Sequence, residues 1–175
     1  MNDYPSSPAP APAAEWERRD VELWAAIDTY AAEEDFRAAV GRLVGELPDG
    51  DPTGLFERAA AWDSTGHPDE AVPLYRAALE GGVPGERRRR AVIQLASSLR
   101  NLGRPEEGAA LLTAERERTS DHLDDALVCV LALCLTELGR AREAVSLTVA
   151  ALAPHLPRYQ RSMGNYARLL LADGS

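Results

Sequence analysis

Four consecutive arginines, Arg87 to Arg90, head a helix-like stretch, GERRRRAVIQLASSLRNLG at 85–103, and further arginines stand at Arg100, Arg161 and Arg168. A guanidinium is a planar fork of donors that grips carboxylates and phosphates at two points. Side-chain amides lie among these arginines at Gln94, Asn101 and Asn165. Amides of that kind pair with the main chain of an extended peptide. The combination is the chemistry of a clamp for an acidic segment or a free carboxylate. Nucleic acid is the other ordinary target of an arginine run. Here 28 acidic residues outweigh 19 basic ones, for a net charge of -9 and a pI near 4.9. A sequence-independent nucleic-acid binder displaces counterions with surplus positive charge, so no nucleic-acid partner is expected.

Catalytic and metal chemistry find little footing. His67, His122 and His155 fall at helix boundaries far apart in the chain, and only His122 has acids beside it, Asp121 and Asp125. A metal site needs several converging ligands. Ser97-Ser98 lacks a neighbouring base and a G-x-S-x-G context, and there is no phosphate loop. The acidic pairs Glu33-Glu34, Glu106-Glu107 and Asp124-Asp125 open or flank helices, where carboxylates favour the dipole. The expectation is a non-enzyme with no cofactor or metal. Cys129 and Cys134 are five apart, roughly 500° around a helix and so about 140° apart in direction, and cannot bridge within it. Both read as core filling, as free thiols in a reducing compartment do. The N-terminal MNDYPSSPAPAPAA has neither the basic start nor the apolar region of a signal peptide, and no apolar run spans a bilayer. A cytoplasmic protein without a membrane partner is expected.

The clamp residues must be held by something, and the chain is organised to do so. Its 175 residues are 45% apolar, enough for one domain with a real core. Residues 1–14, rich in Pro, Ala and Ser, read as a disordered tail. From Glu15 onward apolar residues recur at three and four, punctuated by Gly and Pro, and nothing reads as strand: the fold class is all-α. STGHPDEA, NLGRPEEG and ELGRAREA place equivalent glycines at Gly66, Gly103 and Gly139, 37 and 36 apart, with Gly174 another 35 on. Eleven before each glycine stand Leu55, Val92, Val128 and Met163; seven before, Ala59, Ala96, Ala132 and Ala167; four before, Trp62, Leu99, Leu135 and Leu170. Those offsets trace one helical face, with a small residue where a neighbouring helix approaches.

A second helix follows each of the first three glycines, with Pro68 and Pro105 at tolerated first-turn positions and Ala71, Gly108 and Ala144 five beyond the glycine. The spacing predicts helix pairs over 52–65/68–81, 86–102/105–118 and 122–138/141–153, and a last helix over 158–172. Stacked hairpins bury each other's faces and form a superhelix with a concave and a convex side. At these residues the chain resembles the tetratricopeptide repeat over about 52–174. QLASSLRNLGRPEE, ELGRAREA and PRYQRSMGNYARLL together resemble the bacterial tetratricopeptide-repeat group 5 domain. The resemblance implies a right-handed α-solenoid of three hairpins plus a C-terminal helix over 52–175. Arg58, Gly108 and Glu115 depart from the pattern, standing in place of a large apolar residue, of the usual Ala, and of the Ala of the sister units. Residues 15–48 fit the repeat poorly and are expected to form a helical hairpin that caps the N-terminal end, with Trp16 and Trp24 in its core or, alternatively, exposed to a partner.

In such an array the first helix of each hairpin lines the concave groove. That phase selects Arg90, Gln94, Ser97, Arg100 and Asn101 in the second unit and Arg161, Asn165 and Arg168 in the last helix. The third unit contributes an apolar floor of Ala126, Cys129, Val130 and Leu133. Of the quartet only Arg90 is expected to face the groove, with Arg87 and Arg88 solvated and Arg89 beside the helix crossing. The leading functional expectation is a binding module, a scaffold or adaptor, that docks a protein or peptide partner, an acidic segment or C-terminal carboxylate. The competing account has the arginines paired internally with Glu57, Glu106 or Glu137. An alternative role is a structural or regulatory subunit that self-associates or docks through its N-terminal or convex surface. A monomer or weak homo-oligomer is expected.

Overall fold

A computed structural model describes residues 12–172. The described residues contain helices and turns but no strand: α1 (Pro12–Ala25), α2 (Glu33–Val44), α3 (Pro52–Ser64), α4 (Pro68–Glu80), α5 (Gly85–Asn101), α6 (Pro105–Arg118), α7 (Asp124–Glu137), α8 (Ala141–Leu152) and α9 (Gln160–Ala172). Short 3-10 turns follow α1 at Ile27–Thr29 and α8 at Ala153–His155. None of these helices is long and apolar enough to cross a membrane. The expected tail falls largely on residues 1–11, outside the described part, and α1 begins at Pro12 rather than at Glu15.

The three hairpins, α3–α4, α5–α6 and α7–α8, turn by one device. Gly66, Gly103 and Gly139 adopt φ of 78°, 72° and 75°, the left-handed region in which a side chain is strained. The amide after each glycine reaches back to the carbonyl four before it: His67 to Trp62 at 2.9 Å, Arg104 to Leu99 at 2.9 Å, Arg140 to Leu135 at 2.8 Å. The glycine amides bond to Asp63, Arg100 and Thr136 at 3.1, 2.9 and 3.1 Å. This pair of bonds is the Schellman stop, which satisfies the last carbonyls and reverses the chain. At the start of the array Asp51 accepts from the Thr53 and Gly54 amides, capping α3 with Pro52 in its first turn.

The small residues sit where the helices cross. Ala59, Ala96, Ala132 and Ala167 are all buried, as are Ala71, Gly108 and Ala144 opposite them. Gly108 departs from its alanine sisters for a steric reason: a Cβ there would lie 2.9 Å from the Ala96 carbonyl oxygen and 3.0 Å from Cys134 Sγ of α7. Ala96→Leu is therefore expected to overpack the α5–α6 crossing and cost about 1 to 3 kcal/mol, read as a lower urea midpoint at unchanged slope. An unchanged midpoint would mean the crossing lies elsewhere.

The other two departures have reasons as well. Arg58 is exposed, because the N-terminal hairpin does not cover the position that Leu95 and Leu131 bury in the later units. Glu115 is buried and accepts from Arg88 at 2.5 Å. The N-terminal hairpin packs on α3. Trp16, Phe36, Val40, Leu43, Val44 and Ala61 form its core, and Trp24 and Tyr30 meet Phe36 edge-on. Trp16 is buried and donates to the Leu43 carbonyl at 3.0 Å, so it belongs to the core rather than to an exposed partner site.

Candidate functional site

The four arginines of α5 go to four different environments, because successive residues on a helix point 100° apart. Arg87 was expected in solvent and is instead the hub of a buried network. Its Nε donates to Glu57 Oε1 at 2.6 Å, Nη1 and Nη2 grip both oxygens of Glu17 at 2.8 and 2.7 Å, and Nη2 reaches Asp20 at 3.0 Å. Glu57 is 1% exposed and also accepts from the Trp24 indole at 2.8 Å. Arg88, also expected in solvent, holds the buried Glu115. Arg89 is buried and spans to Asp121 and Asp124, each at 2.6 Å, tying the start of α5 to the start of α7. Both corrections have one cause. The buried acids Asp20, Glu57 and Glu115 on α1, α3 and α6 need cations, and among the described residues the head of α5 supplies them.

Arg90 is different. Its guanidinium lies over the Phe56 ring, 5.1 Å from the centroid, and makes no ion pair among the described residues. One turn on, Gln94 is half-buried, and its Oε1 is enclosed without a hydrogen-bond partner among the described residues. Ser97 follows, half-buried, on the same side of α5. Arg100 is paired internally: its Nη1 lies 2.5 Å from Glu137 of α7, and its Nη2 donates to Asn101 at 2.8 Å. The competing account of the arginines thus describes Arg100 and not Arg90.

Arg161, Asn165 and Arg168 form a separate group on α9. Arg168 donates to Asn165, and Arg161 and Asn165 border a shallow hollow with Tyr159 at the start of the helix. Among the described residues no hydrogen bond or ion pair links this group to α5, and α9 packs on α8 and the turn before it. The apolar floor is present on α7, where Leu133 and Cys129 are exposed. Only Cys134 is a core thiol, so one of the two cysteines departs from expectation; burial pushes its thiol pKa up.

Asp20 and Glu17 were not singled out in the sequence. Their signal was present: Trp16, Asp20 and Trp24 recur every four residues, which puts an acid inside an apolar stripe of α1. Burial, with the Glu57 carboxylate beside it, pushes Asp20 up to about 6, against the pull of Arg87. The histidines stay apart. His67 leads into α4 against Trp62, His122 lies 3.3 Å from Glu86, and His155 lies 2.9 Å from Asp125. Among the described residues no three His, Cys, Asp or Glu side chains gather as metal ligands would. A surface trough of about 650 Å³ lies on the other side of the array between α4 and α6, apolar with the Arg76–Glu107 ion pair at its rim.

No curated protein and no solved structure matches the chain. A family model described as the tetratrico peptide repeat, group 5, matches residues 52–170, which span α3 to α9 and take in all three hairpins. The chain therefore belongs to the tetratricopeptide repeat family, whose repeats generally mediate protein–protein interaction.

Proposed function

We propose that the protein is a non-enzymatic binding module that takes an acidic peptide segment or a C-terminal carboxylate along the concave side of α5 and α7. Arg90 engages the carboxylate, Gln94 and Ser97 the peptide main chain, and Val130 of α7 supplies apolar contact. The observation that carries this reading is the pair at the head of α5: among the described residues, a guanidinium without a carboxylate partner, one turn from an enclosed amide oxygen without a donor. An unmet buried acceptor costs about 1 to 3 kcal/mol, so turning the half-buried Gln94 side chain outward to a peptide N–H would relieve it. Arg100 has a smaller part because Glu137 already neutralises it. Arg161, Asn165 and Arg168, on the far side of α8, have none.

The test uses fluorescence anisotropy with acidic peptides bearing free or amidated C-termini. Arg90→Glu is expected to weaken binding at least about tenfold with melting unchanged, since a charge-assisted contact becomes a repulsion. Binding should weaken with salt, as partly exposed pairs are screened over about 8 to 10 Å. Equal binding by folded Arg90→Glu protein would end the proposal.

A further inference from the structure

The three hairpins share one register, so equivalent positions can be compared. Each presents to its successor a stacking face made of the residues 10, 6 and 3 before the turn glycine and 6 and 9 after it. In the first unit these are Phe56, Ala60, Asp63, Val72 and Tyr75, all buried or half-buried under α5. In the second they are Ile93, Ser97, Arg100, Ala109 and Leu112, again buried or half-buried, under α7. In the third they are Cys129, Leu133, Thr136, Val145 and Thr148, and every one is exposed, Leu133 to 49% and Val145 to 50%.

The placement of α9 explains the difference. By register it is the first helix of a fourth unit, and it belongs on that stacking face. It lies instead on the outer side of α8, the side that stays exposed along α4 and α6. There Ser146 is buried and donates to the Ala167 carbonyl at 2.7 Å, and Arg142 donates to the Leu170 carbonyl at 2.9 Å. Among the described residues nothing takes α9's place. An open groove of about 410 Å³ is left between α7 and α8, with Ala132 and Ala144 at its floor.

The chemistry of this face selects its occupant. In the first two units the residue three before the glycine is charged and bonded into the successor: Asp63 to Ser98 at 2.8 Å, Arg100 to Glu137 at 2.5 Å. In the third unit that residue is Thr136, and among the described residues no charged side chain lines the groove. A two-fold interface sets the residues nearest its axis against their own images, so a charge there would meet the same charge. On a chain of net charge -9, an uncharged patch is the surface that avoids this. Its relief is self-complementary too: Leu133 and Val145 rise on either side of an alanine floor, ridge and groove on one surface.

We propose that the α7–α8 face is a homodimer interface through which two copies stack third hairpin against third hairpin. This does not rest on the peptide reading, which concerns Arg90, Gln94, Ser97 and Val130 rather than the exposed Cys129, Leu133, Thr136, Val145 and Thr148. Sedimentation of the full chain from about 1 to about 200 μM should show the mass moving from one chain toward two. The association should strengthen with salt, because screening relieves repulsion between two acidic copies; peptide binding at Arg90 has the opposite salt dependence. Leu133→Arg and Val145→Arg should each weaken it at least about tenfold, while Val21→Arg, on α1, leaves it unchanged. In the wild type, labelling of the exposed Cys129 by a thiol reagent should slow as protein concentration rises, and in Leu133→Arg it should not. A single-chain mass throughout the range would overturn the proposal and leave the face to residues 1–11 or to a foreign protein. Association that survives both arginine variants, with Cys129 still open to the reagent, would overturn it as well.

Discussion

Arg87→Ala is expected to lower the unfolding free energy by about 3 to 5 kcal/mol, the cost of stripping the cation from a buried ionic cluster. The side chain is 17% exposed, and its guanidinium serves Glu17, Asp20 and Glu57 at once. Without it, Glu57 and Asp20 remain enclosed as acids within reach of each other, with the Trp24 indole as the only remaining donor to Glu57 among the described residues. Exposed pairs set the comparison. Arg18, between Glu15 and Glu22 on the outside of α1, is expected to cost far less when replaced by alanine, because solvent screens its pairs. Urea unfolding of both variants measures the contrast. Because Trp16 and Trp24 flank the cluster, a red shift of tryptophan emission in folded Arg87→Ala protein would report that α1 has detached. A loss no larger than that of Arg18→Ala would show that the cluster does not hold α1 to the array.

Asp20→Asn is expected to stabilise the protein, and increasingly so as pH rises from about 4 to about 6. In the folded chain, burial and the neighbouring Glu57 raise Asp20 to about 6; in the unfolded chain it titrates near its ordinary 3.8. Between those values the folded state holds the proton that the unfolded state has released, so wild-type stability falls as pH rises. Below the window the acid is neutral in both states and the two proteins should melt alike. Above it the full cost of charging the buried acid is present. Each pH unit of displacement corresponds to about 1.4 kcal/mol, which puts the difference on the order of 2 to 3 kcal/mol. The comparison isolates Asp20 because paired acids such as Glu107 and Asp121 are displaced downward and contribute alike to both proteins. Parallel melting curves across pH 4 to 6 would contradict the assignment.

The repeat was readable because it is local. Gly66, Gly103 and Gly139, with their alanines seven before and small residues five after, obey a spacing that neighbouring helices impose on any such hairpin, and each observed helix of the repeats begins and ends within two residues of its expected place. Arg90 is set apart from the other three by the same local phase, and its guanidinium lies over the Phe56 ring. Arg87 and Arg88 were not readable in that way. Phase placed them outward, and what reverses this is a set of acids from α1, α3 and α6, brought near only when those helices pack. Cys129 and α9 share one explanation. Each would be covered in a regular array, and the departure of α9 to the outer side of α8 exposes the first and moves Arg161 and Arg168 away from α5.

By itself, then, the sequence determined the helices, their turns and the faces they bury, since these follow from residue spacing within some forty residues and from glycine's freedom at positive φ. Only the tertiary structure decided which charges are spent on holding the array together and which remain open to a partner. A guanidinium's role depends on the acids within about 3 Å of it, and those come from segments 27 to 70 residues away, at separations that no local pattern encodes.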